Sequence, residues 1–422
     1  MKLSIRAYAL VFVLAAAGSL RAAPLPEASP EQVGMSAQRL AQIADVFKKA
    51  VDAGDMPGAV IMVARNGKLV YSQAIGMQDQ AANKPMALDS IFRIYSMTKP
   101  IVTVGAMILV EEGKLALHEP VSKYIPEFKD MQVGIETFNS AMGTSTFQTI
   151  QAKRQITIQD LMRHTSGLTY GVFTGKTHIG KMYNDANLWQ QKTIEEFCQA
   201  LAKIPLRNEP GTVWEYGHST DVLGRVIEVA SGQPLDVFIA ERVLKPLKMV
   251  DTGWDVPAEK QGRIAEPKAG GDKDWDPVVM LDPRKKATLF AGGHGMMSTA
   301  GDYLRFAQML VNGGQLDGVR ILSRKTVAYM ASNHLTAEIS KGPNFLPGPG
   351  YGFGLGFGVR LETGMSEWMG TPGEFYWGGY AGTAFWVDPA EKLTPVLMMQ
   401  APGKRQQYRN LYRDLVYHAI VD

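Results

Sequence analysis

The sequence is poor in cysteine. Cys198 is the one cysteine among 422 residues, so no disulfide can form within the chain. A chain of this length buries enough apolar surface to fold without a covalent cross-link. Cys198 lies in the amphipathic segment 194–201, whose spacing predicts a helix with the thiol on its buried face. We therefore interpret Cys198 as a structural residue and not as a nucleophile.

The motifs of several enzyme classes are also missing. There is no H-E-x-x-H and no clustered Cys/His spacing, so we predict no metal site and no cofactor. There is no G-x-S-x-G, which argues against an α/β-hydrolase nucleophile. The near match at 217–221 lacks the last glycine, and we interpret Ser219 as a helix N-cap. The glycine-rich run 348–356 lacks the Gly-Lys-Ser/Thr ending of a phosphate loop.

An excess of charge of one sign is confined to the N-terminus. The formal charge is +3, and residues 1–22 contribute Lys2, Arg6 and Arg21 but no acidic residue. The remainder is therefore neutral, which gives no electrostatic reason to expect binding to nucleic acid.

The same N-terminal residues have the pattern of a secretory signal. Basic residues precede an apolar stretch over 7–17, and small residues follow near Ala22. We predict cleavage after Ala22, with Ser19 as the alternative, and a secreted or periplasmic protein. The apolar stretch is too short for a comfortable membrane span, so we expect none after cleavage, with an uncleaved anchor as the alternative.

Hydrophobic periodicity predicts a mixed α/β (α+β) fold. Near the N-terminus it indicates a helix over 31–51 with Ser36 as N-cap, strands at 59–64 and 69–75 joined by Asn66-Gly67, and a buried helix at 101–110. Helical patterns follow at 157–164, 193–203, 219–231 and 235–245, and again at 298–312 and 405–420. Strand patterns return at 351–360, 374–377, 382–387 and 395–400.

This order predicts an antiparallel sheet built from both chain ends and flanked by helices. We expect an α/β lobe formed by 30–115 and 286–422, with a mainly helical lobe over 116–285 inserted into it. The active site would lie between the two lobes, where ligand sites are common.

The segment Ser96-Met-Thr-Lys99 is the sharpest chemical signal. A serine and a lysine three positions apart share one face of a helix. The N-terminus of a buried helix favours negative charge on the serine oxygen, and burial of the lysine would make it a usable base. The alternative is a capping serine beside a surface lysine, but the apolar helix that follows disfavours it.

Two further motifs contain candidate residues. Tyr216 stands between a turn and a helix start, where its hydroxyl can relay a proton, or where its ring simply packs. Trp377-Gly378-Gly379 precedes Tyr380, and the two glycines permit close approach of a substrate to the backbone. A backbone N–H nearby would join that of Ser96 in an oxyanion hole, and a β-bulge or strand turn is the alternative.

Together the three motifs form the pattern of the penicillin-recognising serine hydrolases. The sequence resembles the class C β-lactamase branch of that superfamily, and within it most of all the family VIII carboxylesterases. The resemblance covers about 30–420, with supporting stretches at 119–126, 156–168 and 293–302. It implies a β-lactamase/transpeptidase-like fold with an α/β lobe and a helical lobe.

The resemblance also implies roles. Ser96 would be acylated, Lys99 and Tyr216 would form the general base/acid pair, and the amides of Ser96 and Tyr380 would form the oxyanion hole. His164, in a family-like segment, would be structural.

Two departures from the lactamase pattern concern the substrate. His218 stands two positions after Tyr216, where lactamases have asparagine, and it either hydrogen-bonds the substrate or is satisfied by backbone. Trp377-Gly378-Gly379 stands in place of K-T-G and is typical of family VIII esterases. Replacing that lysine by an indole removes a charge-assisted contact worth about 1.5–3 kcal/mol.

We therefore expect hydrolysis of small, neutral, short-chain carboxylic esters through an acyl-enzyme. His218, Trp377, Gly378 and Gly379 are the predicted substrate-binding residues. The alternatives are a class C-like β-lactamase or DD-peptidase acting on β-lactams or peptidoglycan peptides, a penicillin-binding sensor that acylates and stalls, and an acyltransferase.

Overall fold

Helices and strands alternate along the described part of the chain, which comprises residues 25–139, 144–175, 177–268 and 282–422 of a computed structural model. The helices are α1 (Ala37–Asp52), α2 (Thr98–Glu111), α3 (Ile158–Met162), α4 (His178–Asp185), α5 (Ile194–Leu201), α6 (Ser219–Ser231), α7 (Leu235–Ile239), α8 (Ala300–Val311), α9 (Arg324–Met330) and α10 (Arg405–His418). The strands are β1 (Gly58–Arg65), β2 (Lys68–Asp79), β3 (Lys84–Pro85), β4 (Phe92–Arg93), β5 (Gln132–Asn139), β6 (Thr144–Gln151), β7 (Met297–Ser298), β8 (Gln315–Leu316), β9 (Val319–Arg320), β10 (Tyr351–Phe353), β11 (Gly358–Arg360), β12 (Phe375–Gly378), β13 (Ala384–Val387) and β14 (Leu393–Met399).

Eight of these strands form one antiparallel sheet that joins the two ends of the chain. The strand order is β10-β11-β12-β13-β14-β1-β2-β3, so the last strand in sequence pairs with the first. The predicted sheet built from both chain ends, flanked by helices, is therefore confirmed. Because β14 must find β1 across more than three hundred residues, this pairing depends on the whole fold.

The N-terminal elements follow their local sequence signals. Asn66 and Gly67 both adopt positive φ, 53° and 75°, which the tight turn between β1 and β2 requires. The Ser36 hydroxyl accepts a hydrogen bond from the Arg39 N–H at 3.3 Å and caps α1. The predicted hairpin and the predicted N-cap are both confirmed.

Strand β1 lies between two layers of helices. All eight of its residues are buried, and alternate side chains enter different apolar clusters. Ile61 and Val63 pack with residues of α1 and α10, whereas Val60 and Met62 share the cluster of α2 and α8. A strand covered on both faces is apolar throughout, which explains its continuous hydrophobic run.

The middle of the chain contains a β-ribbon that the sequence patterns did not indicate. Strands β5 and β6 form a separate two-stranded ribbon within the range 116–285, which was predicted to be mainly helical. The ribbon was missed because few of its side chains are apolar, so its alternation is weak. Helices α4 and α9 were also not predicted. The lobe boundaries stay a prediction, and the predicted signal peptide lies outside the described residues.

Two side chains of the central region test the assignments made from spacing. Cys198 is buried in α5, as predicted. Ser219 is not the N-cap of α6, because the helix begins at Ser219 and position 218 precedes it. The Ser219 hydroxyl instead shares a hydrogen bond of 2.8 Å with the Ser166 hydroxyl, since both are buried away from water.

Within the described ranges, no helix combines the length and apolar character needed to cross a membrane.

A buried carboxylate ties the outer strands of the sheet to α10. Glu374 accepts hydrogen bonds from Arg360 Nε at 2.9 Å, from the hydroxyls of Tyr351 and Tyr417 at 2.6 Å each, and from Arg413. Burial alone would raise the pKa of Glu374, but the two guanidinium groups keep it below its ordinary value. This cluster fixes the start of β12, whose far end bears Trp377 and Gly378.

Removing the charge of this carboxylate leaves two buried guanidinium groups without an anion. We expect Glu374→Gln to lower the free energy of unfolding by about 3–5 kcal/mol, measured from urea unfolding. The exposed neighbour Glu362 provides the control, and Glu362→Gln should stay within about 0.5 kcal/mol of wild type. Equal midpoints for the two variants would contradict a structural role for Glu374.

Candidate active site

Ser96 lies on a short, strained turn at the entrance to α2. The turn Tyr95–Met97 is a single 3-10 turn that follows β4 directly. Tyr95 adopts φ 43°, a left-handed conformation that is costly for a bulky side chain. The turn is held by the hydrogen bond from Ile94 N–H to Met296 O at 3.0 Å and by the Tyr303 hydroxyl, which donates to Met97 O at 2.8 Å. Ser96 itself is half-buried, one turn before a helix whose N-terminus favours negative charge.

Lys99 is buried beside this serine. Its side chain belongs to the first turn of α2 and is 1% exposed. The ammonium donates to Gly293 O at 2.7 Å, to the Tyr170 hydroxyl at 3.1 Å and to Ser96 Oγ at 3.4 Å. An ammonium has three protons, so these three acceptors satisfy it completely. The S-x-x-K spacing therefore brings serine and lysine within reach of each other.

Tyr216 contacts Lys99, and Trp377 contacts Tyr216. The ammonium lies 4.6 Å from the centroid of the Tyr216 ring, within the range of a cation–π interaction. The indole Nε1–H of Trp377 donates to the Tyr216 hydroxyl at 3.3 Å. Ser96, Lys99, Tyr216 and Trp377 are thus linked by direct contacts, although they come from three separate parts of the sequence.

Aromatic rings enclose this group. The Tyr216 ring contacts those of His164, Tyr170, Phe173, Trp214 and Trp377, with centroid distances from 4.9 to 6.0 Å. Burial lowers the pKa of His164 well below its ordinary value and raises that of Tyr170 well above it. At neutral pH both groups are therefore uncharged, and Lys99 is surrounded by polarisable but neutral side chains.

Tyr170 is the functional candidate that sequence reasoning missed. It accepts a hydrogen bond from Lys99 although 71 positions separate the two residues. The family-like stretch identified in the sequence ends at Leu168, two residues before it. That proximity was the available signal, but nothing in the local spacing indicates that this ring reaches Lys99.

A second layer of buried polar groups supports Lys99 from behind. The Gly293 N–H donates to Asp221 Oδ1 at 2.7 Å, and His218 Nδ1 lies 3.0 Å from Asp221 Oδ2. Burial alone would raise the pKa of Asp221, but the hydrogen bond from His218 and the nearby charge of Lys99 keep it low. Burial also lowers the pKa of the neighbouring His294 to about 4. Asp221 therefore provides the negative charge behind Lys99, with Gly293 between them.

His218 belongs to this second layer. Its ring is 3% exposed and contacts the rings of Tyr170, Tyr183, Trp189 and Phe197. The acceptor for Nδ1 is the Asp221 side chain, which differs from both options considered from the sequence. Direct contact between His218 and a substrate stays a prediction.

The turn that bears Tyr380 lies against the segment that bears Ser96. A side chain at Gly379 would place its Cβ 2.2 Å from Ile94 O, so only glycine permits this approach. The rings of Tyr380 and Tyr95 meet edge to face at a centroid distance of 5.6 Å. The close approach allowed by Gly379 is thus made by the protein's own backbone, and contact of Gly378 and Gly379 with a substrate stays a prediction.

The chain is similar to known proteins over most of its length. The beta-lactamase family model matches residues 43–418. Protein Rv1367c of Mycobacterium tuberculosis is 39% identical over 363 residues, which is 84% of this chain and 88% of that protein. Esterase EstB of Burkholderia gladioli is 32% identical over 418 residues, which is 92% of this chain and 98% of that protein.

A solved structure extends the similarity to the fold. EstCE1, a hydrolase with promiscuous acyltransferase activity, superposes with a TM-score of 0.73 at 27% identity, and the match covers 90% of this chain and 99% of that chain. The predicted β-lactamase/transpeptidase-like fold is therefore confirmed. The chain belongs to the beta-lactamase family, and it is a serine hydrolase of the penicillin-recognising superfamily that includes the family VIII esterases.

Proposed function

We propose that this protein hydrolyses small, neutral carboxylic esters through an acyl-enzyme on Ser96. The observation that carries the proposal is the contact between Lys99 Nζ and Ser96 Oγ beside Tyr216, with Trp377 in place of a cation. The relatives named as esterase and hydrolase support the reaction class.

In the proposed acylation step, Ser96 Oγ attacks the ester carbonyl carbon. The serine proton passes to the Lys99/Tyr216 pair in the form that holds one proton fewer than an ammonium with a phenol, and the pair then returns a proton to the alcohol oxygen as the C–O bond breaks. The amides of Ser96 and Tyr380 stabilise the negative charge on the carbonyl oxygen. Water then attacks the acyl-enzyme in the same manner, and the acid is released with Ser96 regenerated.

The surroundings of Trp377 support a neutral substrate. The indole is 4% exposed, and its ring contacts those of Phe353 and Tyr216. Two cations lie nearby, and both already have protein acceptors: Lys99 donates to Gly293 O, the Tyr170 hydroxyl and Ser96 Oγ, and Arg409 donates to main-chain carbonyls of the turn 379–383. A substrate carboxylate would therefore find no charge-assisted partner at Trp377, and its desolvation would be uncompensated.

We assign the remaining predicted residues to supporting positions. His218 holds Tyr170 and Asp221 from behind the site, in preference to a direct substrate contact. Trp377 forms one wall of the acyl pocket.

Transfer of the acyl group to an alcohol instead of water would use the same intermediate, so acyltransfer is a second reaction that this site would support.

Side-by-side assays separate the esterase from the lactamase. We expect rapid release of p-nitrophenol from p-nitrophenyl butyrate and little turnover of a chromogenic cephalosporin. Ser96→Ala should lower the ester rate by about 10⁴-fold or more, since the nucleophile is lost. Faster cephalosporin turnover would show that the interpretation of Trp377 is wrong, and ester hydrolysis that survives in Ser96→Ala would exclude Ser96 as the nucleophile.

The hydroxyl of Tyr216 is tested by its removal. We expect Tyr216→Phe to lower kcat for p-nitrophenyl butyrate by about 10²–10⁴-fold with little change in KM, because proton transfer is impaired and the ring remains. Tyr329 is exposed and remote, so Tyr329→Phe provides the matched control and should keep wild-type kcat. A Tyr216→Phe enzyme with normal kcat would leave Lys99 alone as the base.

We also infer that the protein is exported with removal of its leader. Intact-mass analysis of the protein recovered from a periplasmic extract should give a chain that begins at Ala23. A mass that includes residues 1–22 would support the uncleaved anchor instead.

A further inference from the structure

Arg409 lies behind the turn that bears Tyr380, on the helix α10. Its guanidinium donates to Thr383 O at 2.8 Å, to Gly382 O at 3.3 Å and to Gly379 O. Among the residues that the structure describes, no carboxylate forms an ion pair with Arg409. The acceptors of this cation are therefore three main-chain carbonyls of one turn.

The missing side chain of Gly378 provides the space for this guanidinium. A Cβ added at position 378 would lie 2.7 Å from Arg409 Cζ and within 2.9 Å of both terminal nitrogens. Gly378 belongs to β12 and does not adopt positive φ, so its backbone would accept alanine. A side chain at this position would therefore have to displace the guanidinium of Arg409.

Other main-chain segments contact the turn on the side away from Arg409. Gly379 lies against Ile94 O, and the Ala401 N–H donates to Ala381 O at 2.7 Å. Within the turn, Gly379 N–H donates to Thr383 O at 2.8 Å and Gly382 N–H to Gly379 O at 3.1 Å. Arg409 binds these same two carbonyls, so it acts on the hydrogen bonds that give the turn its shape.

We propose that Arg409 is a positioning residue for the Tyr380 amide, because its guanidinium holds the Gly379–Thr383 carbonyls from behind while Ile94 O limits the turn from the front. This inference rests on the proposed acyl transfer at Ser96. An oxyanion donor contributes only when it is held in place before charge develops, and a displacement of about 1 Å can cost about 10²-fold in rate. A planar group with several donors in fixed directions suits three carbonyls better than a lysine would.

Burial of the cation agrees with this role. Desolvation, together with the neighbouring charge of Arg405, lowers the pKa of Arg409 to about 9. The group therefore stays charged at neutral pH, and its positive charge lies directly behind the peptide groups of the turn.

Replacement of Arg409 tests the proposal against a merely structural role. We expect Arg409→Ala to lower kcat for p-nitrophenyl butyrate by about 10- to 10²-fold with KM within a factor of about three, and Arg409→Lys to recover part of the loss. Arg320 offers a matched control, since it also donates to two main-chain carbonyls, Gly313 O and Leu322 O, in a remote exposed turn. Arg320→Ala should keep wild-type kcat, and thermal unfolding should show that all variants are folded.

We call the hold of the Arg409 guanidinium on the turn carbonyls the Arg409 clamp. A double-mutant cycle with Gly378 distinguishes this clamp from contact between Gly378 and the substrate. We expect Gly378→Ala alone to lower kcat/KM by about 10-fold, because its methyl group displaces the guanidinium. In the Arg409→Ala background the same change should cost less than about threefold, since the space is then empty. An equal loss in both backgrounds would show that Gly378 meets the substrate and would overturn the proposal.

A probe that does not need ester turnover separates failure of the clamp from failure of the proposed function. A fluorophosphonate labels an activated serine through a transition state that uses the same oxyanion donors. We expect Arg409→Ala to slow labelling of Ser96 by about the same factor as it lowers kcat. If wild type is labelled but does not hydrolyse esters, the proposed substrate is wrong while the clamp is still measured, and unchanged labelling in Arg409→Ala would refute the clamp.

Discussion

The burial of one ammonium group determines much of the architecture around the site. Lys99 is almost completely removed from water, and an unpaired charge at that depth would be strongly destabilising. One of its acceptors is local, in the turn of Ser96, and the other two come from distant places, the segment of Tyr170 and the loop of Gly293. Each of these segments must therefore be in position before the lysine is stable, which couples the central helices to the sheet.

Electrostatic support for this ammonium is indirect. Asp221 carries the negative charge, but it binds the Gly293 N–H while the Gly293 carbonyl binds Lys99. The ammonium is thus bonded to one carbonyl and two hydroxyls, and the Asp221 carboxylate reaches it only through the Gly293 peptide groups. The surrounding aromatic rings exclude water and add cation–π attraction without adding charge.

The sheet contributes rigidity instead of reacting groups. Glu374 fixes the beginning of β12 through two arginines and two tyrosines, and Arg409 holds the turn beyond its end. Both sets of contacts involve α10, so the last helix of the chain supports β12 and the turn after it at two points. Residues remote from Ser96 in sequence therefore position the strand and the turn that lie beside it.

The sequence by itself determined the features that depend on neighbouring residues. The β1–β2 hairpin follows from Asn66-Gly67, the cap of α1 from Ser36, and the contact of Ser96 with Lys99 from their separation by three positions at the start of α2. These features do not depend on a distant partner, so local backbone preferences were sufficient to predict them. The β5–β6 ribbon was missed because its alternation of apolar and polar residues is weak.

Only the tertiary structure decided which distant groups meet. Lys99 and Gly293 are separated by 194 positions, and the contact depends on the full packing of helices against the sheet. The same holds for Tyr170, for the contact of His218 with Asp221, and for the guanidinium of Arg409 in the space beside Gly378. A glycine in the sequence indicates that something approaches closely, but its partner is set by long-range packing that no local pattern encodes.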